Sequence, residues 1–247
     1  MKPAPLRIAM WSGPRNISTA MMRAFENRPD TVVVDEPFYA HYLARTGLNH
    51  PMREEVLTSQ PAEWREVVAM LLGPVPSGAP IFYQKHMTHH MLPEIDTHWM
   101  SACCNVFLIR TPDDVVASYS EKRGEITLDD LGVVRQAELF DLEANRLGRA
   151  PPVIDASDVL TDPAATLTAL CDAIGIPFSG KMLSWPKGRR ASDGVWAPAW
   201  YDRVEKSTGF AKARTTPPPE LPPELASIAA AARPYYDRIA RWKLRAV

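Results

Sequence analysis

Five short, almost continuously apolar runs, separated by longer amphipathic stretches, constrain the fold of this chain most tightly. They are LRIAM (Leu6 to Met10), TVVVD (Thr31 to Asp35), IFYQK (Ile81 to Lys85), NVFLIR (Asn105 to Arg110) and PVIDA (Pro152 to Ala156). A strand with one wet face alternates polar and apolar residues. These runs do not alternate, and their β-branched and aromatic content suits parallel strands buried on both faces. The segments between them read as helices. In RTPDDVVASYS, Thr111 is the expected N-cap, Pro112 the first helical residue, and Asp113 and Asp114 complement the dipole. Thr127 to Arg146 carries an apolar stripe of Leu128, Leu131, Val134, Leu139 and Leu142 at helical spacing. TDPAATLTALCDAIG opens on a Thr161/Asp162 cap with Pro163 and closes on Gly175, where a C-cap belongs. Strands alternating with helices predict α/β architecture: one three-layer domain, a central parallel sheet of about five strands and helices on both faces.

No second domain is expected within residues 1–247. After Pro177 the sequence becomes rich in Trp, Pro, Gly and basic residues up to Phe210. TTPPPELPPE (Thr215 to Glu224) reads as a stiff spacer before a last helix, interrupted at Pro234, that docks through Tyr235, Tyr236 and Trp242. There is no internal repeat. A formal net charge of -1 excludes bulk attraction to nucleic acid or to acidic membranes, so any bound anion must meet a local cluster of cations. Cys103, Cys104 and Cys171 are an odd set without Cys-x-x-Cys spacing, which argues against a disulfide framework or a zinc-cysteine site. No run approaches the ~18 apolar residues of a membrane span, and the segment after Lys2 already reads as a strand rather than a leader. The expectation is a cytoplasmic protein.

The stretch WSGPRNISTAMM (Trp11 to Met22) joins the first strand to a helix through a turn of small residues. Unpaired N–H groups and a positive dipole end collect there, so such a turn is a natural anion cradle of the P-loop, nucleotide-kinase-like kind. Gly13 would permit close backbone approach, Arg15 offers a forked cation, and Asn16, Ser18 and Thr19 offer further donors. The loop lacks the Gly-Lys pair that reaches the β- and γ-phosphates of a metal-bound triphosphate, which disfavours a magnesium-dependent ATPase or GTPase. A second candidate anion site lies in NVFLIRTPDDVVASYS, where Arg110 ends a strand and Ser118 falls eight residues later in the next helix. Spacing alone does not bring those two onto one ligand.

Taken together, these segments resemble the sulfotransferases that use 3'-phosphoadenosine 5'-phosphosulfate (PAPS). That family carries a P-[KR]-S-G-[ST]-T type loop after its first strand, matched in part by Pro14-Arg15 and Ser18-Thr19. Its R-x-P-x-D-x-x-x-S segment is filled by Arg110, Pro112, Asp114 and Ser118. VIDASDVLTDP, with Asp158 and Pro163, is similar to the Y-E-D-x-x-x-x-P segment. PKGRRASDGVW is similar to the basic R-K-G loop, with Lys187 and Gly188 in place and Arg189 beside them as a further candidate. The resemblance implies that the first loop holds the 5'-phosphosulfate, and that Arg110 and Ser118 hold the 3'-phosphate. It also accounts for the missing Gly-Lys pair, because PAPS has no β- or γ-phosphate for a metal to bridge. Asn16-Ile17, Ala20, Ala156 and Pro186 depart from the family pattern, mostly where adenine would stack.

The acceptor side is expected at YQKHMTHHMLP (Tyr83 to Pro93), at the end of the third strand. Ligands of open α/β sheets bind beyond the carboxyl ends of the strands. Histidine is the natural base near neutral pH, and the candidates in order are His86, His90 and His89. By resemblance to the family's K-x-H, Lys85 stabilises the transferring group, although Met87 stands where the histidine usually falls. The H-x-x-H-H spacing lacks the Cys or carboxylate companions of a metal site, so no metal is expected. In DEPFYAHY, Glu36, Phe38 and Tyr39 are candidates for the acceptor pocket, and the aromatic-rich SDGVWAPAWYDRVEKSTGF is read either as a lid or as a packed loop. The reading is a metal-independent enzyme that transfers a sulfuryl group from PAPS to a hydroxyl or amine of a small-molecule acceptor. The alternatives are a P-loop-type small-molecule kinase and a non-catalytic, nucleotide- or anion-binding relative.

Overall fold

A computed structural model describes residues 4–123, 125–213 and 220–245. Five parallel strands, β1 (Leu6–Ser12), β2 (Thr31–Asp35), β3 (Ile81–Met87), β4 (Cys104–Ile109) and β5 (Val153–Asp155), pair in the order β2-β3-β1-β4-β5. The helices are α1 (Ser18–Glu26), α2 (Tyr39–Thr46), α3 (Arg53–Ser59), α4 (Trp64–Leu72), α5 (Pro112–Ser120) and α6 (Val133–Leu147). Then follow α7 (Ala156–Thr161), α8 (Pro163–Ile174), α9 (Ala197–Trp200), α10 (Asp202–Glu205) and α11 (Pro223–Ala240).

The strand pleat sorts the apolar runs into two cores. Ile8, Met10, Ile81, Tyr83, Val106 and Leu108 point to one face, where Met21, Phe25, Leu167 and Leu170 of α1 and α8 cover them. Ala9, Trp11, Phe82, Phe107 and Ile109 point to the other, against Val67 of α4, Phe140 of α6 and Ile239 of α11. Burial on both faces removes the need for polar alternation, and each fully buried side chain of this size contributes about 1.5–3 kcal/mol. The fold is thus a single α/β domain with a five-strand parallel sheet covered on both sides. Among the described residues no helix is long and apolar enough to cross a membrane.

Four local expectations differ from the structure. Thr111 makes no side-chain cap; its hydroxyl donates to Asp114 Oδ2 at 2.8 Å. The stripe from Thr127 to Arg146 is not one helix, because Gly132 adopts a left-handed φ of 63° between a 3-10 turn (Asp129–Leu131) and α6. A Cβ there would stand 2.6 Å from Thr88 Oγ1 and 2.9 Å from the His89 nitrogen, so the chain crosses at a point only glycine fits. Pro234 does not interrupt α11, which is held from both sides by Ala229 and Ala232 against the α5 region and by Ile239 in the sheet core. Trp242 is 56% exposed and does not dock. The C-terminal helix is held by the other two expected residues, Tyr235 and Tyr236, which pack against the sheet core, and the Tyr236 hydroxyl donates to Asp155 Oδ2 at 2.6 Å. Of the Pro-rich spacer, 215–219 lie outside the described residues, and Pro223 already begins α11.

Asp162 caps α8 as its spacing predicts, accepting from the Ala165 N–H at 2.9 Å, and Gly175 closes the helix in the left-handed region. β1 is flanked by β3 on one side and β4 on the other. The strand order therefore reverses beside β1, and the crevice where ligands bind opens at the carboxyl ends of β1, β3 and β4.

Candidate active site

The loop between β1 and α1 sits at the mouth of that crevice. Arg15 and Ile17 both adopt left-handed backbone, with φ of 61° and 55°. That conformation is costly for a β-branched residue and is found where a site demands it. Asn16 is buried, with Nδ2 3.3 Å from the Leu108 carbonyl. A Cβ on Gly13 would lie 2.4 Å from the Leu131 carbonyl oxygen. Glycine is therefore required at 13 for packing against the segment before α6, and Gly13 does not line the crevice.

The two anion segments do meet. Arg15 Nε donates to Ser118 Oγ at 3.0 Å, and Arg110 NH1 donates to the Arg15 carbonyl at 2.7 Å. The turn after β4 thus folds α5 back over the loop. Together they border a cavity of about 430 Å³, whose wall includes Arg15, Asn16, Ser18, Thr19, Arg110 and Ser118. Burial, and then the nearby Arg203 charge, lowers the Arg15 pKa. Arg15, Arg110 and Arg203 converge on this side of the cavity, where Arg203 also donates to Glu121 Oε2 at 2.7 Å. Lys187, Gly188 and Arg189 do not reach it; Lys187 and Arg189 are exposed. The cavity takes Arg203 and Lys212 instead, from α10 and the segment after it.

Lys85 and Glu36 line the cavity from the β2–β3 side. β2 and β3 run in register with Asp35 beside Lys85, and the pleat turns Lys85 to the α1 face. Its ammonium donates to Asp35 Oδ1 at 2.8 Å, to Glu36 Oε1 at 2.6 Å and to the Tyr201 hydroxyl at 2.6 Å. The Tyr201 hydroxyl donates to Asp35 Oδ2 at 2.7 Å and accepts from Trp196 Nε1 at 3.1 Å. Glu36 has a φ of 40° and is pinned by its N–H to the Lys85 carbonyl at 2.9 Å. Burial alone would depress the lysine, but the Asp35 and Glu36 carboxylates outweigh it and raise its pKa well above the usual value. Burial also raises the Glu36 carboxyl, with the Asp35 charge adding to the effect and Lys85 opposing it. Two carboxylates against one ammonium leave this side with a surplus of negative charge.

The three histidines expected as candidate bases lie away from the cavity wall. His86 is one residue out of phase with Lys85, so the pleat sends it to the other face, stacked on Trp11 at 4.3 Å with Nε2 3.2 Å from Gln84 Oε1. His89 and His90 pack with Tyr42, and His90 also stacks on Tyr39 at 4.6 Å. Burial pushes His86 and His89 down to about 3, and burial with His89 beside it lowers His90 strongly. Among the described residues no three His, Cys, Asp or Glu side chains form a group that could hold a metal ion. Of the expected acceptor residues, Glu36 lines the cavity. Phe38 packs against Trp99, and Tyr39 is buried with its hydroxyl 2.9 Å from His50 Nδ1. The aromatic-rich segment is packed as the second of its two readings has it: Trp196 and Tyr201 are core, and Trp200 and Tyr201 also form cavity wall.

Sequence reasoning missed Asp35, Tyr201, Arg203 and Lys212. A signal existed for Asp35, since two five-residue runs end on opposite charges, Asp35 and Lys85, and would pair if adjacent. For the other three, reached only through loops, no sequence period points to the cavity.

A strand, a loop with left-handed residues and a cationic crevice at the reversal of strand order define an α/β protein of phosphate-loop-like architecture. The family described as sulfotransferase domain matches residues 6–243, and the chain belongs to that family. "Branched-chain-amino-acid aminotransferase-like protein 1" of Arabidopsis thaliana is 38% identical over 214 residues, covering 86% of this chain and 38% of that protein. The chain therefore spans well under half the length of that relative. Among solved structures, the sulfotransferase domain from the curacin biosynthetic pathway superposes with a TM-score of 0.56 at 18% identity, over 94% of this chain and 99% of that one. Mouse sulfotransferase SULT7A1, complexed with PAP, gives 0.54 at 13% identity, over 93% and 89%. These two likenesses establish the fold.

Proposed function

We propose that the domain transfers a sulfuryl group from PAPS to a hydroxyl or amine of a small-molecule acceptor, without a metal. The observation that carries this reading is the charge lining of one cavity. Arg15 and Arg110 reach it from the turns after β1 and β4, with Arg203 near Arg15, Glu36 and Lys85 reach it from β2 and β3, and Lys212 adds a further cation to the wall. Those residues fit the donor. Four cations match two multiply charged anionic groups, and the left-handed loop presents its backbone to them without a Gly-Lys pair. When bound, PAPS supplies a sulfur that the acceptor atom attacks while the bridging S–O bond breaks and adenosine 3',5'-bisphosphate leaves.

The residues of the chain divide the remaining work. Ser18, Thr19, Arg15 and the loop amides hold the phosphosulfate; Arg110, Ser118 and the added cations Arg203 and Lys212 hold the second phosphate. Lys85 meets negative charge that develops on the leaving side. Glu36, a carboxylate in the cavity wall with a raised pKa, takes the acceptor proton in place of the three histidines, which do not face the cavity. Trp200 and Tyr201 exclude water from that side.

Thermal unfolding with adenosine 3',5'-bisphosphate, with ATP-Mg²⁺ and with neither tests the reading. A ligand at a hundred times its Kd adds about 2.7 kcal/mol, or roughly 5–10 °C in Tm for a domain of this size. The bisphosphate is expected to give such a shift and ATP-Mg²⁺ little. Stabilisation by ATP-Mg²⁺ alone would overturn the proposal in favour of a kinase.

A further inference from the structure

Arg23 lies in the middle of α1 and is fully buried, an unusual place for a guanidinium. Its NH2 donates to Asp193 Oδ2 at 2.7 Å, and both side chains are 0% exposed. Asp193 Oδ2 also accepts the Arg190 N–H at 2.8 Å, and Ser192 Oγ donates to Glu26 in the last turn of α1. Residues 190–193 are thus clamped to the helix that begins at the anion loop. The next residue, Gly194, donates its N–H to Asp35 Oδ2 at 3.1 Å, the same oxygen that accepts from Tyr201. A Cβ at Gly194 would fall 2.2 Å from the Trp196 ring, so the chain turns there directly beneath the indole that donates to Tyr201.

We propose that the buried Arg23–Asp193 pair is a positioning device for the reaction site: it fixes the Gly194 N–H and Trp196, which orient Asp35 and Tyr201, which in turn set Lys85 against Glu36. Neither Arg23 nor Asp193 lines the cavity, so both act through others. A buried ion pair contributes little net stability against apolar substitutes, whereas a fixed geometry is what it can supply. Asp35 would otherwise be free to draw Lys85 away from Glu36. The device also ties the two sides of the cavity together, because one helix carries the anion loop at its start and the clamp near its end. The bearing of this on catalysis rests on the proposed sulfuryl transfer; the geometric claim does not.

Carboxyl ¹³C NMR titration of Glu36 and the indole ¹⁵N–¹H signal of Trp196 read the device without any assay of activity. In Asp193→Ala the loop loses its tether and water reaches the cluster. The Glu36 midpoint is expected to fall toward the ordinary glutamate value, and the Trp196 signal to move. Arg23→Met should do the same and Arg23→Lys, which can restore one bond, should return both readouts most of the way to wild type. A merely structural pair would lower Tm and leave both readouts where they were. If Asp193→Ala does not fold, Asp193→Asn, which keeps an acceptor oxygen and removes the charge, is expected to shift them in the same direction by less. Wild-type midpoints and indole signals in a folded Asp193→Asn or Asp193→Ala overturn the proposal. Failure of wild-type protein to bind adenosine 3',5'-bisphosphate would count against the transfer reading and leave this result standing on its own.

Discussion

Lys85→Ala is expected to cost about 3–5 kcal/mol of unfolding free energy and to abolish sulfuryl transfer. The reason lies in what remains. Asp35 and Glu36 are both buried, at 4% and 9% exposure, and each touches the same ammonium. Without it the two carboxylates, both largely buried, face one another with no cation between them, and Tyr201 can donate only one hydrogen bond. The sign of the pH dependence follows. Lys85 is raised above its unfolded value, so its contribution is complete below the ordinary lysine pKa and disappears as pH climbs through the folded one. In the variant one carboxyl takes up a proton, so the deficit should be largest at pH 8 and shrink towards pH 5. Urea unfolding of both proteins at the two pH values checks this. A loss under about 1 kcal/mol at pH 8 would mean that the cluster is far better solvated than its burial indicates.

The second large effect is kinetic. Glu36→Gln is expected to lower transfer by about 10²–10⁴-fold while bisphosphate affinity stays within a few-fold, since Glu36 follows β2 whereas Arg15 and Arg110 follow β1 and β4. The wild-type kcat/KM should show an acid limb above the ordinary glutamate range, because burial and then Asp35 raise the Glu36 carboxyl. Below that limb the base is protonated and idle; Gln should remove the limb along with the rate. Histidines pushed down to about 3 cannot produce a limb near 6.5. A limb near 6.5 that survives Glu36→Gln and vanishes on replacing His90 or His89 would return the proton to the histidines.

What was legible in the sequence follows from periodicity. The five runs needed no partner to be recognised, since burial on both faces is written into unbroken apolar composition; TVVVD matches β2 residue for residue. The Asp162 cap and Gly175 terminus were equally local. Failures came where tertiary contact decides. Gly132 reads as a neutral interruption of a stripe until Thr88 and His89 are seen to leave no room for a side chain. Arg110 and Ser118 could be named from the family pattern, yet their approach to Arg15 is a property of how α5 folds back. His86 was legible as a titratable residue beside Lys85, and the same pleat that brings Lys85 to the cavity carries His86 to the opposite core. Arg203 and Lys212 lie in loop-bounded segments, where no period links a residue to the wall it will join.

Calorimetric titration of adenosine 3',5'-bisphosphate into wild-type protein and Arg110→Ala, each in EDTA and in Mg²⁺, tests metal-independent binding of the donor most directly. Arg110 lines the cavity and also holds the Arg15 carbonyl, so its loss removes a charge-assisted bond of about 1.5–3 kcal/mol. The prediction is binding to wild type that is indifferent to the metal, weakened roughly 10- to 150-fold in Arg110→Ala. Binding that requires Mg²⁺, or an Arg110→Ala affinity equal to that of wild type, would contradict it.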